Sequence, residues 1–526
     1  MRISTAQFYE STAANYQKNF ANVVKSSEEA SSLVRVNTAA DDPVGASRLL
    51  QLGQQASMLD QYKTNTSTIK ATLGQTESVM TSINNVLQRA KELTVGAGSA
   101  GYTDADRQAN ASELGQIEEQ LLSLMNSQDE NGKYIFSGSK GDVAPFSRNS
   151  DGTYTYNGDQ VTLDLPVGDS MSMATNSTGW EVFQQAINTS RSQVTATAPV
   201  PGSPQDKNQI TLSNGQVTSS VTYSNKFLSG EPYKIEIVGG NQLKITDSNN
   251  LDVTSEASLA GAFDPTKKDT QSVKFRGVDL NLNINLAAGD DPVADLPNYS
   301  FELASKPDSF NVTRSPGNPT TTQITGSKVT DPAAYHASFP NGSAILKFTS
   351  STDFELYAAP LTSSSKPVSS GTVVGNKATA SGVEFTLDST APAAGNQYSV
   401  AVNTHETQNI LDTVSQLKKT LNTPVDGNPI ALQKLNAGLA SGLANLASGN
   451  DQLSAGLSSV GGRGAALETQ NDTNQSLVLA NAQTQSGIRD SDPAAVMTRL
   501  TLQQTMLQAS QLAFSKIAQL GLFNKV

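Results

Sequence analysis

The sequence predicts an α+β multidomain chain, in which the N- and C-terminal segments form a long α-helical coiled coil or bundle and flank a central antiparallel β-rich insertion. Three observations carry this expectation. Apolar residues recur every seven positions across both ends of the chain. Residues 133 to about 402 replace those heptads with period-two alternation and turn pairs. An Asp-Pro break interrupts the helical pattern near each terminus, at Asp42-Pro43 and Asp492-Pro493.

The first helix is expected over residues 4–36. Ala6, Ala13, Phe20, Ser27 and Val34 fill one register, and Tyr9, Tyr16, Val23 and Ala30 fill the other. This is a coiled-coil seam of mostly small residues. Ala and Ser bury little area, so the helix is marginal alone and its order is expected to depend on a partner. At Asp41-Asp42-Pro43 one helix ends and another begins, because a residue before proline avoids the α region while Asp caps and Pro opens a first turn. Leu52, Leu59, Thr66, Leu73, Met80, Leu87 and Thr94 then repeat every seven, accompanied by Tyr62, Ile69, Thr76, Ile83 and Ala90. At a rise of about 1.5 Å per residue this is a rod of roughly 65 Å. The glycines of residues 96–101 end it. Leu114, Ile117, Leu121 and Leu124 mark a shorter helix that returns along it and stops near Asn131-Gly132.

In the middle, Tyr154 and Tyr156, then Asn157-Gly158, then Val161, Leu163 and Leu165 read as a hairpin. Ile235 and Ile237 lead through Gly239-Gly240 to Leu243 and Ile245 as a second. Val278, Leu280, Leu282, Ile284 and Leu286 alternate without interruption, and Ala344–Phe348, Phe354–Tyr357, Val383–Leu387 and Tyr398–Val402 are further strands. One or two antiparallel β domains fit, with boundaries at the Pro- and Ser-rich stretches near 196–206 and 360–370. Helical pattern returns with Ile410, Val414, Leu417 and Leu421, then with Leu432, Leu439, Leu446, Leu453 and Val460 at strict sevens. Gly442, Gly449 and Gly456 share a second sevenfold register. Either another backbone approaches closely there, or the helix is poorly formed. After Asp492-Pro493, Val496, Leu500, Leu507, Phe514 and Ile517 supply a terminal apolar stripe. The expected division is therefore 1–42 with 492–526 as a terminal coiled-coil assembly region, 43–142 with 403–491 as a long-helix bundle, and 143–402 as a variable β-rich outer region.

Composition narrows the function. A chain of 526 residues is long enough for two to four folding units. Its 36 Lys and Arg against 48 Asp and Glu give a net charge of −12, which repels phosphate backbones and anionic lipid, so nucleic acid is not an expected partner. The absence of cysteine excludes disulfides, thiolate metal sites and Cys nucleophiles. No stretch reaches the length of a membrane span. The polar opening Met1-Arg2-Ile3-Ser4-Thr5 lacks the apolar core and cleavage site of a secretory signal, so an extracellular fate requires another route.

Catalytic chemistry finds little support. Gly461-Gly462-Arg463-Gly464 lacks the Lys-Ser or Lys-Thr of a nucleotide loop and follows no strand, and reads as a flexible break between helices. His336, in a loop-like context, and His405, before a helix, lack the spacing of a zinc site. Asp247-Ser248-Asn249-Asn250-Leu251-Asp252 lacks the glycine and distal Glu of a calcium loop and reads as a turn. No Gly-x-Ser-x-Gly elbow follows a strand. No enzyme activity, metal or cofactor is expected.

Arg35-Val36-Asn37-Thr38-Ala39-Ala40-Asp41-Asp42-Pro43-Val44-Gly45 resembles the signature shared by bacterial flagellins and their junction proteins. Met1-Arg2-Ile3-Ser4-Thr5, Asn131-Gly132-Lys133-Tyr134-Ile135-Phe136-Ser137-Gly138, Gln508-Ala509-Ser510 and Leu522-Phe523-Asn524 support the resemblance, which covers the two ends of the chain. The Pro of Asp41-Asp42-Pro43 and the Phe-Asn pair look more like the hook-filament junction family, that of hook-associated protein 3. The long β-rich middle keeps filament flagellin as an alternative. An adhesin or binding module using the β region is a third reading. The resemblance implies a structural subunit in the extracellular bacterial flagellum, exported unfolded through the flagellar type III channel without a cleaved signal. Its implied partners are further copies in a ring, the neighbouring hook-associated protein, flagellin, and a cytoplasmic export chaperone on the helix around Leu500 to Leu520. The stripes and the signature together mark the candidate assembly and chaperone interface: Phe20, Val23, Val34, Arg35, Asn37, Asp41, Asp42, Pro43, Leu500, Leu507, Phe514, Ile517, Leu520 and Phe523.

Overall fold

The computed structural model describes residues 2–99, 101–149, 152–307, 309–315, 317–339, 343–358, 361, 365–403 and 405–523. The chain opens with α1 (Arg2–Ser32), α2 (Pro43–Ala97) and α3 (Asp104–Met125). Asp42 Oδ1 accepts the Gly45 amide at 2.9 Å, so the Asp-Pro pair starts α2 as a cap and a first turn should. Thr103 and Asp106 cap each other's backbone at the start of α3. The third helix ends at Met125, before Asn131-Gly132.

Two short hairpins follow, β1 (Phe146–Arg148) with β2 (Tyr154–Tyr156), and β3 (Asp164–Gly168) with β4 (Met171–Ala174). The hairpin expected across Asn157-Gly158 is therefore not formed. Tyr154 and Tyr156 pair backwards with Arg148 and Phe146, while Val161 and Leu163 are exposed and outside any strand. Gly158 serves a different need, since a Cβ there would overlap the Tyr156 ring.

The next elements are β5 (Ser192–Ala198), β6 (Ile210–Leu212), β7 (Gln216–Val217), the single turn α4 (Ser220–Thr222), β8 (Tyr233–Val238), β9 (Gln242–Thr246), β10 (Gln271–Phe275), β11 (Val278–Ile284), the turn α5 (Pro292–Asp295) and β12 (Ser300–Ser305). Antiparallel sheets of order β5-β12-β8-β9 and β10-β11-β6, with β7 also on β11, share one core built on Tyr233, Ile235, Ile245, Phe275, Leu280 and Leu303. Gly239 and Gly240 take φ of 62° and 78° between β8 and β9, a turn that residues with a Cβ resist. Asp247 to Asp252 is a turn after β9, with Asp247 Oδ1 accepting the Asn249 and Leu251 amides.

A third β region holds β13 (Ser309–Arg314), β14 (Ile324–Val329), α6 (Pro332–Ser338), β15 (Ser343–Phe348), β16 (Asp353–Ala358), β17 (Ser369–Val374), β18 (Lys377–Ala380), β19 (Val383–Leu387) and β20 (Gln397–Asn403). They make one antiparallel sheet, β13-β20-β15-β16-β17-β18-β19-β14, whose two edge strands lie beside each other, so the sheet curls around Phe348, Phe354, Phe385 and Tyr398. His336 belongs to α6, whose Pro332 start and Asp331 cap turn the expected loop into a helix; Tyr335 and Phe339 drop into the core. The stretch 196–206 includes the end of β5, and 360–370 connects β16 to its neighbour β17 within one sheet.

Helices close the chain: α7 (Ile410–Leu421), α8 (Pro429–Arg489) and α9 (Pro493–Phe523). Gly442, Gly449 and Gly456 lie in unbroken helix, and side chains rather than backbone approach them. A Cβ at Gly442 would overlap Leu417, one at Gly449 would lie 2.9 Å from Ile410, and one at Gly456 2.8 Å from Met80. Residues 461–464 are also helical, so the expected flexible break is absent. Buried Val460 and Leu467 anchor the helix on either side, which outweighs a propensity cost of about 1 kcal/mol per glycine. Leu432 departs from its heptad and is exposed, while Leu439, Leu446 and Leu453 are buried.

The chain divides into two compact units. One comprises residues 1–72, 164–175 and 462–526; the other comprises 73–163 and 176–461. In the first, the β3–β4 hairpin is held by Asn65 Nδ2 on Pro166 O and by Asn474 Nδ2 on Val167 O. In the second, Leu73, Met80, Leu87, Leu114, Leu121, Val414, Leu439 and Leu446 line the helical core. Antiparallel return of α3 along α2 is fixed by Asn110 Nδ2 on Leu93 O at 3.1 Å and Arg89 on Glu113 at 2.8 Å.

Candidate assembly surface

In the first unit α1 and α9 form an antiparallel helical pair. Tyr9 and Tyr16 flank Phe514, with ring centroids 5.3 and 6.2 Å away, and Asn19 Nδ2 donates to Ser510 Oγ at 2.6 Å. At the other end Glu29 accepts from Ser491 Oγ at 2.5 Å and is paired with Arg499. Burial pushes the Glu29 carboxyl up, but the Ser491 hydroxyl and Arg499 guanidinium together hold it below its ordinary range.

The shielded residues of α1 are Thr12, Ala13, Tyr16, Asn19, Val23, Ser26, Glu29 and Ala30, against Val496, Leu500, Gln503, Leu507, Ser510 and Phe514 of α9. This is a heptad seam, but a thin one. The register of Tyr16, Val23 and Ala30 matches the sequence expectation. The companion register is Thr12, Asn19 and Ser26; of the expected residues Ala13 is also partly shielded, but Ser27 is exposed and Phe20 is 53% exposed. The seam thus carries polar layers, one of which leaves Gln503 Oε1 buried without a partner. Tyr9, against Phe514 at the end of the seam, is still 44% exposed, and outside the seam Phe20, Val24, Met497, Leu502, Met506 and Leu512 remain exposed.

The connector between α1 and α2 runs beside the α8–α9 junction. Val34 bridges Asp490, Arg35 N donates to Arg489 O at 2.6 Å, Arg35 Nη2 to Ile488 O at 2.8 Å, and Ser491 N to Leu33 O at 2.9 Å. Asp41 organises the rest. Its Oδ2 accepts the Asn37 amide at 3.3 Å and the Thr38 amide and hydroxyl at 3.0 Å, and its Oδ1 lies 2.7 Å from Lys25 Nζ. Lys25 and then Thr38 hold the Asp41 carboxyl well below the usual carboxylate range, and Asp41 raises Lys25 in turn.

The signature residues Arg35, Asn37, Asp41, Asp42 and Pro43 therefore gather at one chain crossing, while Val23, Leu500, Leu507 and Phe514 gather in the seam. Ile517, Leu520 and Phe523 occupy α9, but their side chains lie outside the described residues. Sequence reasoning missed Lys25, Asn19, Ser510, Glu29 and Arg499. Polar side chains at heptad positions, as at Asn19 and Ser26, were the only signal available. Elsewhere, His405 Nε2 lies 3.0 Å from Pro307 O. No helix among the described residues is long and apolar enough to cross a membrane.

The chain is similar to known proteins at its N-terminal end and in its fold. Residues 3–141 match the bacterial flagellin N-terminal helical region. The flagellar hook-associated protein 3 of Salmonella typhimurium is 33% identical over 183 residues, 35% of this chain and 57% of that protein. A flagellin of Salmonella montevideo is 25% identical over 296 residues, 53% of this chain and 55% of that protein. The chain thus spans little more than half the length of these curated relatives. The crystal structure of flagellar hook-associated protein-3 from Legionella pneumophila superposes with a TM-score of 0.50 at 18% identity, covering 83% of this chain and 98% of that one. At that identity the likeness concerns the fold.

Proposed function

We infer that this chain, a member of the flagellin family by its N-terminal helical region, is a structural subunit of the bacterial flagellum acting at the hook-filament junction. The carrying observation is the α1–α9 pair, whose seam is narrow and interrupted by polar layers while apolar side chains stand exposed around it. Such a pair gains most of its burial from neighbours. The identity to hook-associated protein 3 supports the junction over the filament. On this reading residues 1–42 and 492–526 assemble, 43–142 and 403–491 form the next layer, and 143–402 face outward. Further copies complete a ring, a hook-associated protein lies on the hook side, and flagellin on the other. The chain acts without catalysis. It leaves the cell by the flagellar export channel, and a chaperone covers residues 500–520 beforehand because an exposed apolar stripe invites aggregation.

The test is complementation in the source bacterium after deletion of its gene. Chains lacking residues 2–32 or 493–523, or carrying Leu507→Asp, are expected to leave the cells non-motile, with unpolymerised flagellin in the medium. Normal motility of the truncated strains would refute the adaptor role. The similarity to flagellins over 53% of the chain favours filament subunit as the second reading. Purified protein that polymerises alone into long filaments on salting out would select it.

A further inference from the structure

In the second unit, β5, the β6–β7 turn and β11 face α7 and α8 across a cavity of about 760 Å³. Its two ends are stapled. At one, Gln433 Oε1 accepts from Thr211 Oγ1 at 2.9 Å and Gln433 Nε2 donates to Asn285 Oδ1 at 2.7 Å. At the other, Asn445 Oδ1 accepts the Thr189 amide at 2.7 Å and hydroxyl at 2.6 Å. Between the staples α8 lines the cavity mostly with small residues such as Ala437, Gly438 and Ser441, together with exposed Lys434, so the space stays open. This is a size suited to a small ligand.

The walls are rich in amides and hydroxyls, among them Ser192, Asn281, Gln416 and Thr420. Each such group can both donate and accept. Lys306, which also lines the cavity, is largely buried, and among the described residues no carboxylate forms an ion pair with it. Burial alone depresses its ammonium pKa. The acids of the lining are committed elsewhere: Asp206 to the Gly202 and Asn208 amides, Asp279 to Thr218 and Lys274. Lys306 is the cation of the lining that burial holds among amides and hydroxyls, whereas Lys434 is exposed, and this setting calls for an anionic, hydroxyl-rich guest. A phosphorylated one would set its extra charge against Asp206 and Asp279.

We propose that this cavity binds a carboxylated sugar of the uronic acid class, its carboxylate on Lys306 and its hydroxyls on the surrounding amides. The proposal does not rest on the junction role. Isothermal titration of the full chain with glucuronate, glucose and acetate tests it. Glucuronate is expected to bind saturably and at least about tenfold more tightly than either partial analogue, as loss of one charge-assisted contact implies. Lys306→Met should weaken glucuronate by a similar factor at an unchanged unfolding temperature. Ala437→Leu, which fills the cavity without touching Lys306, should abolish binding and stands in should Lys306→Met fail to fold. Absence of saturable glucuronate binding, equal binding of acetate, or binding undiminished in either folded variant would overturn the assignment.

Discussion

Two carboxylates show how much a single residue decides here. Asp41 draws Lys25, Asn37 and Thr38 together, and its pKa is depressed in the folded chain. A depressed carboxylate contributes stability that is present above its unfolded pKa and lost as pH falls through the folded value. The connector should therefore stay locked until the solution is well below pH 3.8, the ordinary value. The Thr38 amide resonance followed by NMR during acid titration would report it, and Lys25→Met should move the midpoint back towards 3.8. Glu118 is fully buried. It accepts from Tyr154 Oη at 2.8 Å, is paired with Lys418, and lies 3.3 Å from Arg148. Glu118→Ala leaves that Lys418 charge uncompensated and should cost about 3 to 5 kcal/mol in urea unfolding, whereas adding Lys418→Met should recover much of it. Neither role was legible beforehand, because Asp41 was read as part of a helix break and a signature, with nothing to pair it with Lys25, and nothing marked Glu118 as buried.

At the scale of the element, α8 explains why identical residues behave differently. Gly442 is pressed by Leu417, but Gly462 has no atom near its missing Cβ. Gly442→Ala should destabilise by about 1 to 2 kcal/mol, since overpacking exceeds the gain in helix propensity, and Gly462→Ala should stabilise by up to about 1 kcal/mol. Paired denaturant curves give both signs. The heptads of Leu439, Leu446 and Leu453 were legible as a buried stripe. That α8 continues through residues 461–464 was not, because buried Val460 and Leu467 outweigh local propensity there. Strands told the same story. Strands β11, β15, β16, β19 and β20 alternate apolar side chains and were readable, but β17 (SSGTVV) and β18 (KATA) have almost no apolar pattern. Their ladders with β16 and β19 hold them in the sheet.

For the whole molecule, the proposed division of labour makes the Leu507→Asp experiment selective. Leu507 lies in the α1–α9 seam of one unit, whereas the cores around Tyr233 and Phe354 lie in the other. The charge should therefore disrupt only the terminal pair, and the thermal transition of the β regions should remain in place while assembly fails. Much of this was written in the chain itself. Helices that bracket a β-rich middle, the Asp-Pro pairs that interrupt them, and terminal stripes made largely of small side chains were all legible in the chain, because periodicity and capping are local properties of neighbouring residues. The contact of Asn19 with Ser510, 491 positions away, the outward face of Phe20, and the pairing of Tyr154 with Arg148 rather than with the segment of Val161, Leu163 and Leu165 came only with the tertiary structure. Those outcomes depend on which distant groups satisfy one another's hydrogen bonds and volumes, a condition that no window along the chain contains.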